Sequence, residues 1–308
     1  MDRHVRQRGV ALISALLVVA LASTAAAQLM SSQYLNLRHS GNLFMRDQAW
    51  QYLKGSEAFA MVLLDKAIKN DRLYDLLGQE STFPVEGGVL TGRIDDLQGR
   101  LNLNGIVNAE GKIIGIIQER LQNLLGIKGI DGALADTIVD WIDSDSNPVS
   151  QAGAEDDFYL GQTPPYRTAN TRMASIGELL LLRGYRKIPE KKRRELEKDI
   201  AALPANTPIN INSASDDLLK AIGFKADGIS AIRNRLSKDG GGPFKSLDEL
   251  KTLKLLPEEK LDGLATTTEY FQLTTTAQIG RTRLRQYSII HRSQKGAMRV
   301  VARSLGTP

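Results

Sequence analysis

Residues 8–27 read RGVALISALLVVALASTAAA, and no charged side chain occurs between Arg8 and Arg38. As a helix this stretch crosses the ~30 Å of hydrocarbon in a bilayer. Ahead of it stands MDRHVRQRG, with Arg3, Arg6 and Arg8 against Asp2. Cationic residues on the short side hold that side in the cytoplasm, so the long C-terminal part is expected outside the inner membrane. Two processing sites compete. A secretory signal would be cut after Ala25-Ala26-Ala27 and its apolar core discarded. Against that, the apolar run continues into Gln28-Leu29-Met30 and a helical pattern beyond.

The helical pattern passes well beyond the membrane. Leu35, Phe44, Ala49, Leu53, Phe59, Leu63, Leu64 and Ile68 recur at three-to-four spacing, which predicts one helix to about Lys69. Gly41 and Gly55-Ser56 are its expected bending points. Asn70-Asp71, Gly78, Phe83-Pro84 and Gly87-Gly88 are read as the turns that end it. Val89–Leu97 alternates as a strand. Strands return at Glu269–Thr276, Arg281–Arg292 and Met298–Leu305, while residues 111–263 read as helices joined by glycine and proline turns. The expected fold is therefore α+β: a long N-terminal helix on a sheet that a helical domain interrupts. Insertions of this kind suit hosts whose loop ends lie close together. Within the insertion, Leu101-Asn102-Leu103-Asn104 and Ile209-Asn210-Ile211-Asn212 each precede a helix, a glycine turn and a second helix. They are expected to be two related units packed on each other.

The composition excludes much chemistry. There is no cysteine, which removes thiol catalysis, cysteine–zinc sites and disulfides. The three histidines, His4, His39 and His291, have no histidine neighbour at ligand spacing. A net charge of +5 on 308 residues makes no case for a polyanion partner. The basic run KIPEKKRRELEK at 187–198 is interleaved with glutamates and reads as a solvated helix face. No Walker-type phosphate loop and no Ser/His/Asp nucleophile arrangement occurs, so catalysis is not expected.

The stretch best suited to chemistry is acidic. Asp143, Asp145 and Asn147 occupy the first, third and fifth positions of an EF-hand-like loop, where a hard cation finds oxygen ligands. The rest departs from that loop, since Pro148 replaces its glycine and Ala154 its closing glutamate. Glu155, Asp156 and Asp157 are the acids left to complete a site in another geometry. A calcium ion relieving the repulsion of clustered carboxylates is the expectation, with a plain acidic loop as the competing reading. A carboxylate pair for glycoside hydrolysis lacks an aromatic sugar platform nearby.

Two resemblances follow from these residues. The basic leader ending in Gly9 before an uncharged helix resembles a type IV prepilin signal. That implies cleavage between Gly9 and Val10 by the prepilin peptidase, with the apolar helix retained. The pilin pattern carries glutamate at the fifth mature position, where this chain has Ser14. More specifically, the chain resembles the K-type minor pseudopilins of type II secretion. The resemblance rests on Gly9–Ile13, Gly99–Asn104, Trp141–Asp145 with Pro148, Gly153–Asp156, Pro165–Asn170 and Pro208–Asn212.

It implies a pilin-like fold divided into a leader at 1–9, a transmembrane part at 10–30, a head at 31–110, an inserted all-α domain at 111–265 and C-terminal strands at 266–308. It also implies N-methylation, bound calcium, a single pass through the inner membrane and a periplasmic C-terminal part. The expected place is the tip of the pseudopilus, beside the I- and J-type minor pseudopilins and the major pseudopilin. The alternative is a membrane-tethered competence-type DNA receptor, suggested by the helix-hairpin-helix look of Asn212–Leu250. Its hairpin, Ile222-Gly223-Phe224-Lys225, lacks the second glycine of a phosphate nest, so nucleic acid is not an expected partner.

Overall fold

The computed structural model describes residues 5–237 and 240–306, with side chains from Val10 onward. The first four leader residues lie outside the described residues, as do the side chains up to Gly9. Helix α1 runs without interruption from Val5–Lys69, through Gly41 and Gly55. At 1.5 Å per residue that is roughly 100 Å. Its first half meets nothing: Val10 to Phe44 is exposed throughout, with Leu37 at 74% and Phe44 at 70%. The head begins at Met45. From there Ala49, Leu53, Ser56, Glu57, Ala60 and Leu64 form the buried face. This is not quite the expected stripe, because Leu35, Phe44 and Phe59 lie on the surface. The helical period places Ser56 and Glu57 on the buried side in their stead. The helix ends where Asp71 takes a left-handed φ of 54°.

After α2 (Leu73–Leu76) the chain forms β1 (Glu80–Val85) and β2 (Gly88–Asp96). Strand β1 falls where the sequence suggested only turns. Pro84 lies within it, which an edge strand tolerates. A tight turn at Glu86-Gly87, with Gly87 at φ 79°, joins it to β2.

The insertion then runs through β3 (Leu101–Asn102), α3 (Gly115–Ile127), α4 (Leu134–Ile142), α5 (Asp156–Tyr159), α6 (Glu190–Glu197), β4 (Ile200–Ala201), β5 (Ile209–Asn210), α7 (Asp216–Ile222), α8 (Ala226–Leu236), α9 (Leu247–Thr252) and β6 (Leu264–Ala265). The sheet resumes with β7 (Tyr270–Ile279), β8 (Thr282–Arg292) and β9 (Met298–Leu305). Its order is β1-β2-β7-β8-β9, antiparallel throughout. Because β2 pairs with β7 from Gly88↔Ile279 to Asp96↔Phe271, the chain leaves and re-enters the sheet at neighbouring points.

The insertion has its own core, the largest in the molecule, reaching from Leu101 to Leu264. Leu101, Leu103, Ile106 and Val107 belong to it. By packing, the insertion therefore begins soon after Asp96, earlier than the 110/111 boundary drawn from sequence. Two short parallel pairs, β3–β4 and β5–β6, clasp its helical units. The units meet through α3 and α7, where Asn123 donates to the Ala221 carbonyl and Lys128 bridges Asp199 at 2.5 Å and Asp217 at 2.9 Å.

Asp96 fastens the insertion to the sheet. Its buried carboxylate accepts from Thr268 Oγ1 (2.6 Å), the Gln98 amide (2.7 Å), Asn210 Nδ2 (2.8 Å) and the Ser213 hydroxyl. Burial pushes its pKa up while these donors pull the other way. Farther along the sheet, Glu57 joins α1 to β8 and β9. It accepts from Gln286 Nε2 and Ser288 Oγ and forms a two-point pair with Arg303 at 2.7 and 2.8 Å.

Candidate cation site

The amphipathic helix α4 delivers the acidic stretch. Its apolar face, including Leu134, Ile138 and Trp141, enters the core, and Asp140 and Asp143 emerge at its C-terminal end. Trp141 fixes the helix, donating from Nε1 to Glu178 at 2.9 Å and meeting Tyr159 edge-on at 5.4 Å. Beyond Asp143 the loop turns at Asp145, whose Oδ1 accepts from the Asn147 amide at 2.7 Å. It then folds back so that Glu155 faces Asp143.

Asp143, Asp145 and Glu155 place one carboxylate oxygen each within 4.8 Å of the others. Asp143 and Glu155 are 5% and 4% exposed, yet Asp143 Oδ1 and Glu155 Oε1 have no hydrogen-bond partner. Burial, then Asp145 and Asp140, push the Asp143 carboxyl up to about 6. Burial also carries Glu155 up to about 7, against the Thr168 hydroxyl that bonds its other oxygen. Acids so placed, with lone pairs turned inward, fit a hard divalent cation: its charge removes the repulsion and its coordination uses the free oxygens.

Asp156 and Asp157 are not brought in. Asp156 starts α5 and turns to Thr168, accepting from its amide (3.0 Å) and hydroxyl (2.8 Å), and to Arg167 Nη1 (2.9 Å). These Thr168 bonds hold its pKa below the usual carboxylate range. Asp157 is exposed and outside the cluster, and Asn147, also exposed, meets the cluster through its backbone amide on Asp145. The reason is local: once Glu155 points inward, the helical turn of α5 carries its successors elsewhere.

Sequence reading missed Asp140, which frames the loop. Fully buried, it accepts from the Val149 amide at 2.9 Å and the Ala154 amide at 2.6 Å. Gly153 exists for this contact, since a Cβ there would lie 2.1 Å from Asp140 Oδ2. The signal was present in the spacing of Asp136 and Asp140, one helical turn apart on α4. Asp136 binds the same loop through the Ser150 hydroxyl at 2.7 Å.

The second unit, considered above for nucleic acid, spends its polar groups internally. Gly223 ends α7 at φ 116° beneath the Lys260 side chain, Asn212 is buried among backbone partners, and buried Asn210 bonds to Asp96 and Tyr74.

Comparison with known proteins adds to this geometry. The profile of the family described as "Type II secretion system (T2SS), protein K" matches residues 99–205. The type II secretion system protein K of Pseudomonas aeruginosa is 36% identical over 97% of this chain and 93% of its own. That of Aeromonas hydrophila is 31% identical over 98% of both chains. Among solved structures, a chain of the GspK-GspI-GspJ complex from the enterotoxigenic Escherichia coli Type 2 Secretion System superposes with a TM-score of 0.71. It is 21% identical over 85% of this chain and 97% of that chain, a likeness of fold.

Proposed function

The chain belongs to the type II secretion system protein K family, and from that membership we propose that it caps the pseudopilus as its tip subunit. It is a minor pseudopilin anchored in the membrane by α1, whose exposed span has a mean hydropathy of 2.4 over its most apolar 18 residues. The observation that carries the tip reading is the insertion. More than half of the chain stands between β2 and β7, and a head so enlarged leaves no room for an identical stem to stack above it.

Ser14 supports the same place. Its hydroxyl donates to the Val10 carbonyl at 2.9 Å, so this position is satisfied within its own helix and offers no carboxylate to a subunit above. The fold-related chain was solved with GspI and GspJ. The corresponding partners here are the I- and J-type minor pseudopilins, with the major pseudopilin below. Arg3, Arg6 and Arg8 support a cytoplasmic leader, cleavage after Gly9 by the prepilin peptidase, and a periplasmic head.

Asp143, Asp145 and Glu155 would hold calcium, which supplies charge neutralisation and joins the end of α4 to the start of α5. Co-purification tests the assembly: the full chain is expected to retain the I- and J-type subunits in detergent. Isolation of the chain alone under conditions that keep I and J together would contradict it.

A further inference from the structure

Arg120, on α3, is 2% exposed and is among the largest fully buried side chains. Its Nη2 donates to the Lys260 and Asp262 carbonyls, both at 2.8 Å. Its Nε has no partner, and among the described residues no carboxylate lies within ion-pairing distance of the guanidinium. Burial lowers its pKa, with Asp262 and Glu119 acting in the opposite sense from farther away. A buried cation without a counter-charge is costly and calls for an account.

Arg120 lines a cavity of about 230 Å³ between the start of α3 and the segment 205–208. Ile114, Ile116, Ile117 and Pro208 give it apolar walls, and exposed Asn206 stands at its rim. Two glycines keep the space open. A Cβ at Gly263 would come 3.2 Å from Arg120 Nη1, and one at Gly105 would come 3.3 Å from Ile117 Cδ1. At about 30 Å³ per water-sized group, the volume takes roughly seven heavy atoms.

We infer that this cavity binds a carboxylate on a short apolar stem, with Arg120 as the counter-ion and the isoleucines around the stem. With both Nη2 protons taken by the two carbonyls, Nη1 is the donor left to meet one carboxylate oxygen, and the charge of the acid balances that of the guanidinium. A phosphate, with more charge, would be opposed by Asp262 and Glu119 and would waste the apolar walls. Two sources share this chemistry: a free short-chain carboxylic acid, and the terminal carboxylate of a polypeptide ending in an apolar residue.

The test uses the full chain in detergent micelles with isoleucine δ1-methyl labelling, titrated with isovalerate, with N-acetyl-alanyl-leucine, and with the amide of each. Saturable shifts at Ile116 and Ile117 are expected with the acids, at least tenfold weaker with the amides. A peptide acid that binds tenfold more tightly than isovalerate identifies a polypeptide terminus; equal affinities identify the free acid. Arg120→Gln should abolish the shifts, and Asp262→Asn should tighten binding several-fold by removing a competing charge. Amides that bind as well as acids, or no saturable shift with any probe, would overturn the assignment. The amide comparison needs no variant, so it stands even if Arg120→Gln fails to fold.

Discussion

Asn104 and Asn212 make the same three hydrogen bonds in the two halves of the insertion. Asn104 Nδ2 donates to the Met173 and Leu203 carbonyls while its Oδ1 accepts from the Met173 amide. Asn212 Nδ2 donates to the Phe244 and Thr266 carbonyls while its Oδ1 accepts from the Phe244 amide. Two residues earlier, Asn102 and Asn210 each accept from the backbone amide of that asparagine. The repeated sequence is thus a repeated device: a carboxamide replaces one rung of sheet and ties a distant loop to the unit's first turn.

Asn212→Ala should therefore cost about 3 kcal/mol, since it leaves buried amide and carbonyl groups of Phe244 and Thr266 unpaired. Asn212→Asp should cost at least as much, because a carboxylate cannot donate to either carbonyl. Chemical denaturation followed by Trp141 fluorescence checks both. A loss below about 0.5 kcal/mol would mean that the loops hold without the asparagine.

Glu57 gives a pH dependence with a definite sign. Burial raises its pKa, but Arg303, Ser288 and Gln286 outweigh that and hold it below the ordinary 4.5. The stabilisation is thus fully present above about pH 4.5 and is lost as pH falls through the folded value. Glu57→Gln should lower stability at pH 7 by about 2 kcal/mol and flatten the stability profile between pH 5 and 3. An unchanged acid limb in the variant would assign that limb to other carboxylates.

How much of this was legible in the sequence follows from what each residue touches. Periodicity located α1, the interrupted sheet and the helical insertion, because those patterns answer to a single buried face. Alternation puts Gln286 and Ser288 on one face of β8 with Ile290, but gives no reason for polar residues there. The reason is Glu57, more than two hundred positions away. Strand β1 was read as turns because Pro84 and the neighbouring glycines carry turn propensity, while its strand character comes from pairing with β2. In the acidic loop, spacing pointed to Asp143, Asp145 and Asn147, and Glu155 stood only among the acids left to close a site. Spacing could not tell that Asp156 turns to Thr168, a contact made only when the chain at 165–170 folds back.

The candidate cation site separates into proposed ligands and frame. Asp143→Asn should raise the stability of the metal-free protein at neutral pH, by removing a buried, repelled charge, and should abolish the upward melting shift with calcium. At a hundredfold excess over Kd that shift corresponds to about 2.7 kcal/mol. Gly153→Ala should lower stability with or without metal, by about 2 kcal/mol or more, because its Cβ displaces Asp140. Calcium that leaves the melting temperature of the unmodified chain unchanged would refute the site.

Processing is tested at the other end of the molecule. The mature N-terminus is expected at Val10, and Gly9→Ala should leave the leader attached. Ser14→Glu should not improve function, since it would bury an acid with no ammonium above it. Mature protein beginning after Ala27 would contradict the retained helix.

The central claim is position. Site-specific photo-crosslinking from exposed stem residues such as Leu37 and Phe44, in cells that assemble long pseudopili, reads it directly. The account predicts adducts to minor pseudopilins and at most one major subunit below, with immunolabel at one end of each fibre. Label distributed along the fibre, with adducts between copies of this chain, would contradict it.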